Sequence, residues 1–177
     1  MLFRSCYTGD ILDDKREKYN LSYYVNMAKE LEKRGSHMIG IKDMSGLVKP
    51  MAAGKLITAL KNEVAVPIHF HTHDTSGNAV ASVLMAAASG VDIADAAISS
   101  MSGLTSQPNL NSIVAALEHT ERESKIKTEE IQEIANYWNA VRPVYKEFES
   151  DFMSSTAEIY HYEIPRSQYS NLKSQVE

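Results

Sequence analysis

The strongest constraint on how this chain folds is a repeated alternation of short apolar stretches with longer amphipathic ones. The apolar stretches have strand length and are centred near residues 5, 40, 70 and 95. They recur about every 30 residues, which is the length of one βα unit. Consecutive βα units place their strands parallel in one sheet, with the helices packed over it. The sequence therefore predicts an α/β fold that contains about four such units.

The bounds of the elements follow from side-chain periodicity and from the residues that begin and end helices. We expect strands at residues 2–8, 38–42, 66–73 and 91–98. We expect helices at residues 21–34, from Pro50 onward, between Gly77 and Gly90, and at residues 110–118. Proline is favoured in the first turn of a helix and glycine just beyond the last turn, which supports these boundaries.

The third predicted strand carries histidines at alternate positions, His69, His71 and His73. Side chains alternate between the two faces of a strand, so the three imidazoles share one face. A lone histidine is commonly a buried structural residue. Two imidazoles about 7 Å apart at the end of an apolar strand can instead turn ring nitrogens to one small ion. We therefore expect His71 and His73 to be metal ligands, with His69 supporting them from deeper in the strand.

Other side chains capable of chemistry also fall at the ends of predicted strands. The whole set is Asp10, Lys42, Asp43, His71, His73 and Asp74. Parallel barrels keep their active sites at this carboxyl edge of the sheet. No G-x-G-x-x-G segment follows a predicted strand, which argues against a dinucleotide-binding open sheet. We therefore favour part of a (β/α)8 TIM barrel over an open doubly wound sheet.

Four βα units are only half of such a barrel. A half-barrel leaves the edges of its first and last strands unpaired, and proteins avoid exposing long strand edges. We therefore expect further sequence or a partner chain to complete the sheet.

Charge and cysteine content narrow the range of partners. The chain has 18 basic and 23 acidic residues, and no basic stripe of the kind that binds nucleic acid. A single cysteine, Cys6, excludes an internal disulfide and suits a reducing compartment. No apolar run is long enough to cross a membrane or to form a signal peptide. We expect a cytoplasmic protein that binds neither nucleic acid nor membrane.

The pattern changes after Glu118. A charged linker covers residues 119–125, and a long helix is expected at residues 128–150, with Pro143 as a kink and Trp138 in the core. The expected apolar side of this helix comprises Ile131, Ile134, Trp138, Val141 and Tyr145. We expect residues 1–118 to form the partial barrel and residues 119–177 a helical extension of the same domain.

Five segments resemble one enzyme family. They are GIKDMSGLVKP, PIHFHTHDTSGN, SGLTSQPN, YWNAVRPVYKEFESD and EIYHYEIPRSQYSNL. Together they resemble the carboxyltransferase domain of pyruvate carboxylases, over nearly all of the chain from Cys6 onward. The first two are shared with oxaloacetate decarboxylase and transcarboxylase subunits, whereas Asp74 and the segments at 148–151 and 168–172 are more similar to pyruvate carboxylases. The resemblance implies a (β/α)8 barrel with a helical funnel beside it.

The resemblance also implies a site. It implies a divalent metal, zinc or manganese, held by His71, His73 and Lys42, with Lys42 carboxylated on its amine and counted as the catalytic residue. An ammonium has no lone pair to give a cation, whereas a carbamate presents anionic oxygen.

The implied reaction belongs to the ligase class of biotin-dependent enzymes. A carboxyl group moves from carboxybiotin to pyruvate to give oxaloacetate, and the metal acts as a Lewis acid near the developing enolate oxygen. The implied partners are pyruvate and oxaloacetate, a biotin carrier domain, the remaining part of the carboxylase and further copies of the chain. Biotin would be carried by a segment that this sequence does not contain.

The sequence departs from the family in three places. It lacks the R-D-x-x-Q strand, which supplies an aspartate ligand, and the K-V-T-P-S-S-K segment, which supplies the proton shuttle. Arg166 and Ser167 replace two usual glycines, which removes the backbone freedom that glycine would give that turn. We therefore expect this piece to be inactive by itself. The alternatives are an oxaloacetate decarboxylase or transcarboxylase subunit, a metal-dependent aldolase or lyase, and a catalytically silent assembly fragment.

Overall fold

The computed structural model describes residues 2–149 and 152–163. Its strands are β1 (Leu2–Cys6), β2 (Met38–Asp43), β3 (Ile68–Thr72) and β4 (Ile93–Ala94). Its α-helices are α1 (Leu21–Lys33), α2 (Pro50–Glu63), α3 (Ala79–Ala88), α4 (Leu110–Leu117), α5 (Thr128–Val141) and α6 (Ile159–Tyr162). Short 3-10 helices cover Ser99–Met101 and Arg142–Phe148.

The four described strands form one parallel sheet in the order β1-β2-β3-β4. Helices α1, α2 and α3 each follow the strand of the same number and pack against one another in that order. This arrangement confirms the predicted α/β succession of βα units. Within the described residues, β1 and β4 are the outer strands, so each has one edge without a strand partner.

The two faces of the sheet differ because side chains alternate along each strand. The helix-facing side carries Ile39, Ile41, Ile68 and Phe70, each at most 1% exposed. Helix α2 covers them with Leu56, Ile57 and Leu60, which are fully buried. Each large apolar side chain buried in this way contributes about 1.5–3 kcal/mol. The opposite side of the sheet carries Lys42, His69 and His71. Because side chains alternate, the packing of the apolar residues against α2 fixes these polar residues on the other face.

The fourth strand is much shorter than predicted, so the prediction of residues 91–98 is wrong in extent. Beyond Ala94 the chain turns to pair with its own downstream segment. Ala97 N donates to Pro108 O at 2.9 Å, and Leu110 N donates to Ala97 O at 2.8 Å. These bonds take up the backbone groups that a longer β4 would have offered to β3.

The third strand begins later than predicted for a comparable reason. The Glu32 carboxylate accepts from Ala65 N at 2.8 Å and from Val66 N at 3.1 Å. A side chain of α1 therefore occupies the backbone donors at the start of the expected strand, and β3 begins at Ile68.

The predicted helix at residues 128–150 is also shorter than expected. Helix α5 ends at Val141, and Pro143 lies at the start of the following 3-10 helix, since proline lacks the N–H that an α-helix needs. Ile131 and Ala135 are buried. The prediction of Trp138 as a core residue is wrong, because Trp138 is 36% exposed, and Ile134 is 50% exposed. The division of the chain at residue 118 stays a prediction.

Residues 152–163 return across the carboxyl edge of the sheet. Thr156 N donates to Thr75 O at 2.9 Å, Asn78 Nδ2 donates to Tyr160 Oη at 3.1 Å, and Ile159 is 5% exposed. The predicted turn at Arg166 and Ser167 lies outside the described residues. No helix in the described ranges is long and apolar enough to span a bilayer.

Candidate metal centre

The strand register brings the predicted site residues of neighbouring strands into one row. Lys42 on β2 pairs with His71 on β3. Asp95 N donates to Phe70 O at 3.0 Å, which sets Asp95 beside His71 just after β4. In-register residues of parallel strands project from the same face. Lys42, His71 and Asp95 therefore form a polar row at the carboxyl edge of the sheet.

Each of the two predicted histidine ligands has one ring nitrogen tied to an acceptor. His71 Nδ1 lies 2.7 Å from Asp95 Oδ2, and His73 Nδ1 lies 2.6 Å from Thr105 O. A carbonyl oxygen and an ionised carboxylate only accept, so the proton of each neutral ring lies on Nδ1. The lone pair of each ring is then on Nε2, the nitrogen that metals commonly bind.

The two Nε2 atoms point at a shared space. They lie 3.3 Å apart, and two lone pairs at that distance repel unless a proton or a cation lies between them. Nitrogen ligands about 2.1 Å from a tetrahedral ion are about 3.4 Å apart. Metal-binding histidines usually donate their other N–H to a carboxylate or a carbonyl, as both rings do here. The pair of imidazoles therefore fits a divalent cation.

The described residues provide fewer further ligands than a complete metal site needs. Within the described residues, no group of three His, Cys, Asp or Glu side chains is arranged to hold a metal ion. Lys42 is half-buried and lies directly beside His71 in the register. Its amine could supply a third ligand only in a neutral or carboxylated form. The described site therefore offers two preformed nitrogen ligands and one adjacent lysine.

Asp95 is a functional candidate that the sequence reasoning missed. Burial raises the pKa of Asp95, but its contacts with His69 and His71 outweigh that effect and hold the pKa below its ordinary value. His69 Nε2 lies 2.8 Å from Asp95 Oδ1, although the two groups are not aligned as a hydrogen bond. The carboxylate therefore stays ionised and lies between two imidazoles. The signal that could have found it is its position opposite His71 at the end of the fourth strand.

The Thr105 carbonyl was missed as well. Thr105 belongs to the segment SGLTSQPN, in which the sequence identified no candidate ligand. The structure places this loop against β3, since Ser106 O also accepts from Asp74 N at 2.9 Å. A backbone carbonyl is present at every residue, so no sequence pattern could have singled this one out.

Four other acidic residues, Asp10, Asp43, Asp74 and Asp92, have their described hydrogen bonds and ion pairs with groups other than the two imidazoles. Asp10 binds Lys49 at 2.5 Å, and Asp74 accepts from Ala79 N at the start of α3. Asp92 accepts from Ile68 N at the opposite end of the sheet. The fourth, Asp43, is fully buried. Burial raises the pKa of Asp43, while hydrogen bonds from backbone N–H groups and a hydroxyl oppose the rise.

Comparison with known proteins gives concordant results. The HMGL-like family profile matches residues 14–137. The chain is 51% identical to pyruvate carboxylase of Bacillus subtilis over 170 residues, covering 96% of this chain and 15% of the relative. It is 52% identical to pyruvate carboxylase of Staphylococcus aureus over 171 residues, again covering 96% of this chain and 15% of the relative.

Solved structures agree with these relatives. The carboxyl transferase domain of Rhizobium etli pyruvate carboxylase with 3-hydroxypyruvate matches with a TM-score of 0.95 and 53% identity, over 98% of this chain and 29% of that chain. The complete multifunctional enzyme from the same organism matches with a TM-score of 0.95 and 53% identity, over 97% of this chain and 17% of that chain. The predicted resemblance and the partial-barrel fold are confirmed. The chain spans only a small part of each relative.

Proposed function

The chain belongs to the HMGL-like family, and on that premise we propose that it forms part of the carboxyltransferase domain of a biotin-dependent pyruvate carboxylase, an enzyme of the ligase class. The proposed reaction moves a carboxyl group from carboxybiotin to pyruvate and yields oxaloacetate. The observation that carries the proposal is the pair of convergent Nε2 atoms of His71 and His73, 3.3 Å apart. The similarity to pyruvate carboxylases over 96% of the chain supports it.

The metal would be zinc or manganese, held by His71, His73 and a carboxylated Lys42. When bound, it would stabilise negative charge that develops on a substrate oxygen. The chain's own contribution is preorganisation. Asp95 and the Thr105 carbonyl hold the Nδ1 protons, so both rings present their lone pairs without rearranging.

Carboxylation of Lys42 can be tested directly. The neutral amine would attack carbon dioxide, lose a proton and become a carbamate, which exchanges a repelling cation for an anionic oxygen ligand. With ¹³C-labelled carbon dioxide and a divalent metal, we expect a carbamate carbon signal by NMR. The signal should be absent in the matched Lys42→Arg variant, which keeps the positive charge, and persist in Lys61→Arg. An equal signal in Lys42→Arg would place the modification elsewhere.

Expressed by itself, the chain should show no measurable pyruvate carboxylation and only weak metal affinity. The reason is that the sequence has neither the R-D-x-x-Q nor the K-V-T-P-S-S-K segment, and the described site has two preformed ligands. The assay supplies pyruvate and a carboxybiotin-loaded carrier and measures oxaloacetate.

The same chain should restore activity when it replaces the matching segment of the Bacillus subtilis pyruvate carboxylase, with which it shares 51% identity. Turnover by the isolated chain would contradict the first expectation. A folded chimaera that binds metal but forms no oxaloacetate would contradict the proposed function.

A second candidate is a subunit of a biotin-dependent oxaloacetate decarboxylase or transcarboxylase. The segment GIKDMSGL and the paired His71 and His73 support this candidate as strongly as they support the carboxylase, because they are shared with those enzymes. Free biotin would accelerate oxaloacetate decarboxylation by the carboxylase and by the biotin-dependent decarboxylase or transcarboxylase. It would not accelerate the reaction of a metal-dependent lyase of similar fold. Carboxylation of pyruvate by the chimaera would select the carboxylase.

Partners and location extend the same proposal. The outer edges of β1 and β4 would pair with the remaining part of the carboxylase, and the biotin carrier domain and further copies of the chain would complete the assembly. The similarity to a complete multifunctional pyruvate carboxylase supports this. The single cysteine supports a cytoplasmic location. A defined oligomer without bound metal, found by sedimentation and elemental analysis, would instead favour an assembly fragment.

A further inference from the structure

The buried carboxylate of Asp43 joins β2, which carries Lys42, to β3, which carries His71. Asp43 follows Lys42 at the end of β2, and its Oδ2 accepts from Thr72 Oγ1 at 2.9 Å. Thr72 lies between His71 and His73, with its own side chain on the opposite, buried face of β3 and only 1% exposed. A single hydrogen bond therefore connects the residue beside the lysine to the residue between the two imidazoles.

The same carboxylate shapes the loop that follows β2. Asp43 Oδ1 accepts from Leu47 N at 2.9 Å, and Asp43 Oδ2 accepts from Val48 N at 2.8 Å. Ser45 N is a weaker donor to Oδ1 at 3.3 Å. Hydrogen bonds in a buried site are stronger than in water and leave little freedom of movement. The loop at residues 44–48 is therefore held close to the carboxylate.

This loop also contacts the backbone of a proposed ligand. Gly46 has a φ of +71°, and a Cβ at this position would lie 2.5 Å from His73 O. The two backbones are therefore packed so closely that no side chain fits between them. The carboxylate of Asp43 thus acts on His73 by two routes, through Thr72 in the strand and through the Gly46 turn.

We propose that Asp43 is a positioning residue for the metal centre, which through Thr72 and the Gly46 turn fixes His73 relative to His71 and Lys42. The inference rests on the proposed function, because it concerns the same cation. Metal ligands must sit within about 0.2 Å of their bonding distances, and a rotation of the His73 backbone would move its Nε2 by more than that. Asp43 itself need not touch the metal or the substrate.

The test removes the Thr72 hydroxyl, which donates to Asp43 Oδ2 at 2.9 Å and also lies 3.3 Å from His73 O. Thr72→Val keeps the shape of the buried side chain and lacks the hydroxyl, whereas Thr72→Ser keeps the hydroxyl. In the full chain, titration with Co²⁺ followed by its visible absorption should show an affinity about tenfold lower for Thr72→Val, within the range known for outer partners of metal ligands. Thr72→Ser should restore affinity close to that of the unaltered chain.

A matched control separates positioning from general stability. Asp92→Asn weakens a similar contact between a carboxylate and a backbone N–H, but at the opposite end of the sheet. It should lower the urea midpoint and leave Co²⁺ affinity unchanged. If Thr72→Val binds Co²⁺ as tightly as the unaltered chain, the inference is overturned while the metal centre stands. If the unaltered chain binds no Co²⁺ even at millimolar concentration, the metal assignment falls and the inference falls with it.

Discussion

Replacing His71 or His73 with alanine is expected to remove metal binding at the carboxyl edge of the sheet. Each substitution deletes one of two preformed nitrogen ligands, and the remaining imidazole cannot chelate alone. The loss in affinity should exceed the roughly 100-fold upper range found for outer partners of ligands. Calorimetric titration with Zn²⁺ measures it in the chain, and oxaloacetate formation measures its consequence in the chimaera.

The control for this experiment is a histidine far from the site. His119 is highly exposed, with 87% of its side chain accessible. Its φ is +62°, a conformation that asparagine tolerates better than alanine, so His119→Asn is the matched variant. It should leave both Zn²⁺ affinity and chimaera activity unchanged. Zn²⁺ binding by the double variant His71→Ala/His73→Ala as strong as that of the unaltered chain would rule out this metal centre.

The second large effect is expected from Gly46→Ala. Alanine at a φ of +71° is strained by about 1–2 kcal/mol. Its Cβ would also lie 2.5 Å from His73 O, so backbone must move, at a further cost of about 1–3 kcal/mol. Urea unfolding followed by circular dichroism should show a stability loss of about 2–5 kcal/mol, which is a large part of the total for a small domain.

The variant Gly90→Ala separates the cost of backbone strain at positive φ from the cost of the steric clash with His73. Gly90 has a φ of +91°, and a Cβ there would meet nothing within 4 Å. This variant should lose only the strain energy, and its metal affinity should equal that of the unaltered chain. Gly46→Ala should also bind metal more weakly, since the displaced backbone carries His73. Equal losses of stability in the two variants would mean that the Gly46 turn is not packed tightly against the backbone of His73.

The sequence predicted the fold well because its signals are local and repeated. Alternation in β3 separated Ile68 and Phe70 from His69 and His71, and burial of the first two follows directly from it. The spacing of the βα units, together with parallel pairing, then placed Lys42 near the histidines. These steps need only the period of a strand and the direction of the chain.

The remaining features depend on contacts that no local pattern specifies. Asp95 lies just beyond β4 because that strand stops after two residues, and that length is set by bonds between Ala97 and the segment at 108–110. Trp138 was expected in the core because apolar periodicity does not reveal how much of a helix another element covers. The proposed ligand role of Lys42, His71 and His73 stays a prediction, and the experiments above address it.

The partners of the two histidines come from later in the chain than the histidines themselves. Asp95 lies 24 residues after His71, and Thr105 lies 32 residues after His73. A nascent polypeptide emerging from the ribosome would expose both imidazoles well before either orienting group had left the exit tunnel. Until Asp95 and Thr105 are in place, neither ring is held in one tautomer. A chain truncated before Asp95 would therefore leave both rings without an orienting group.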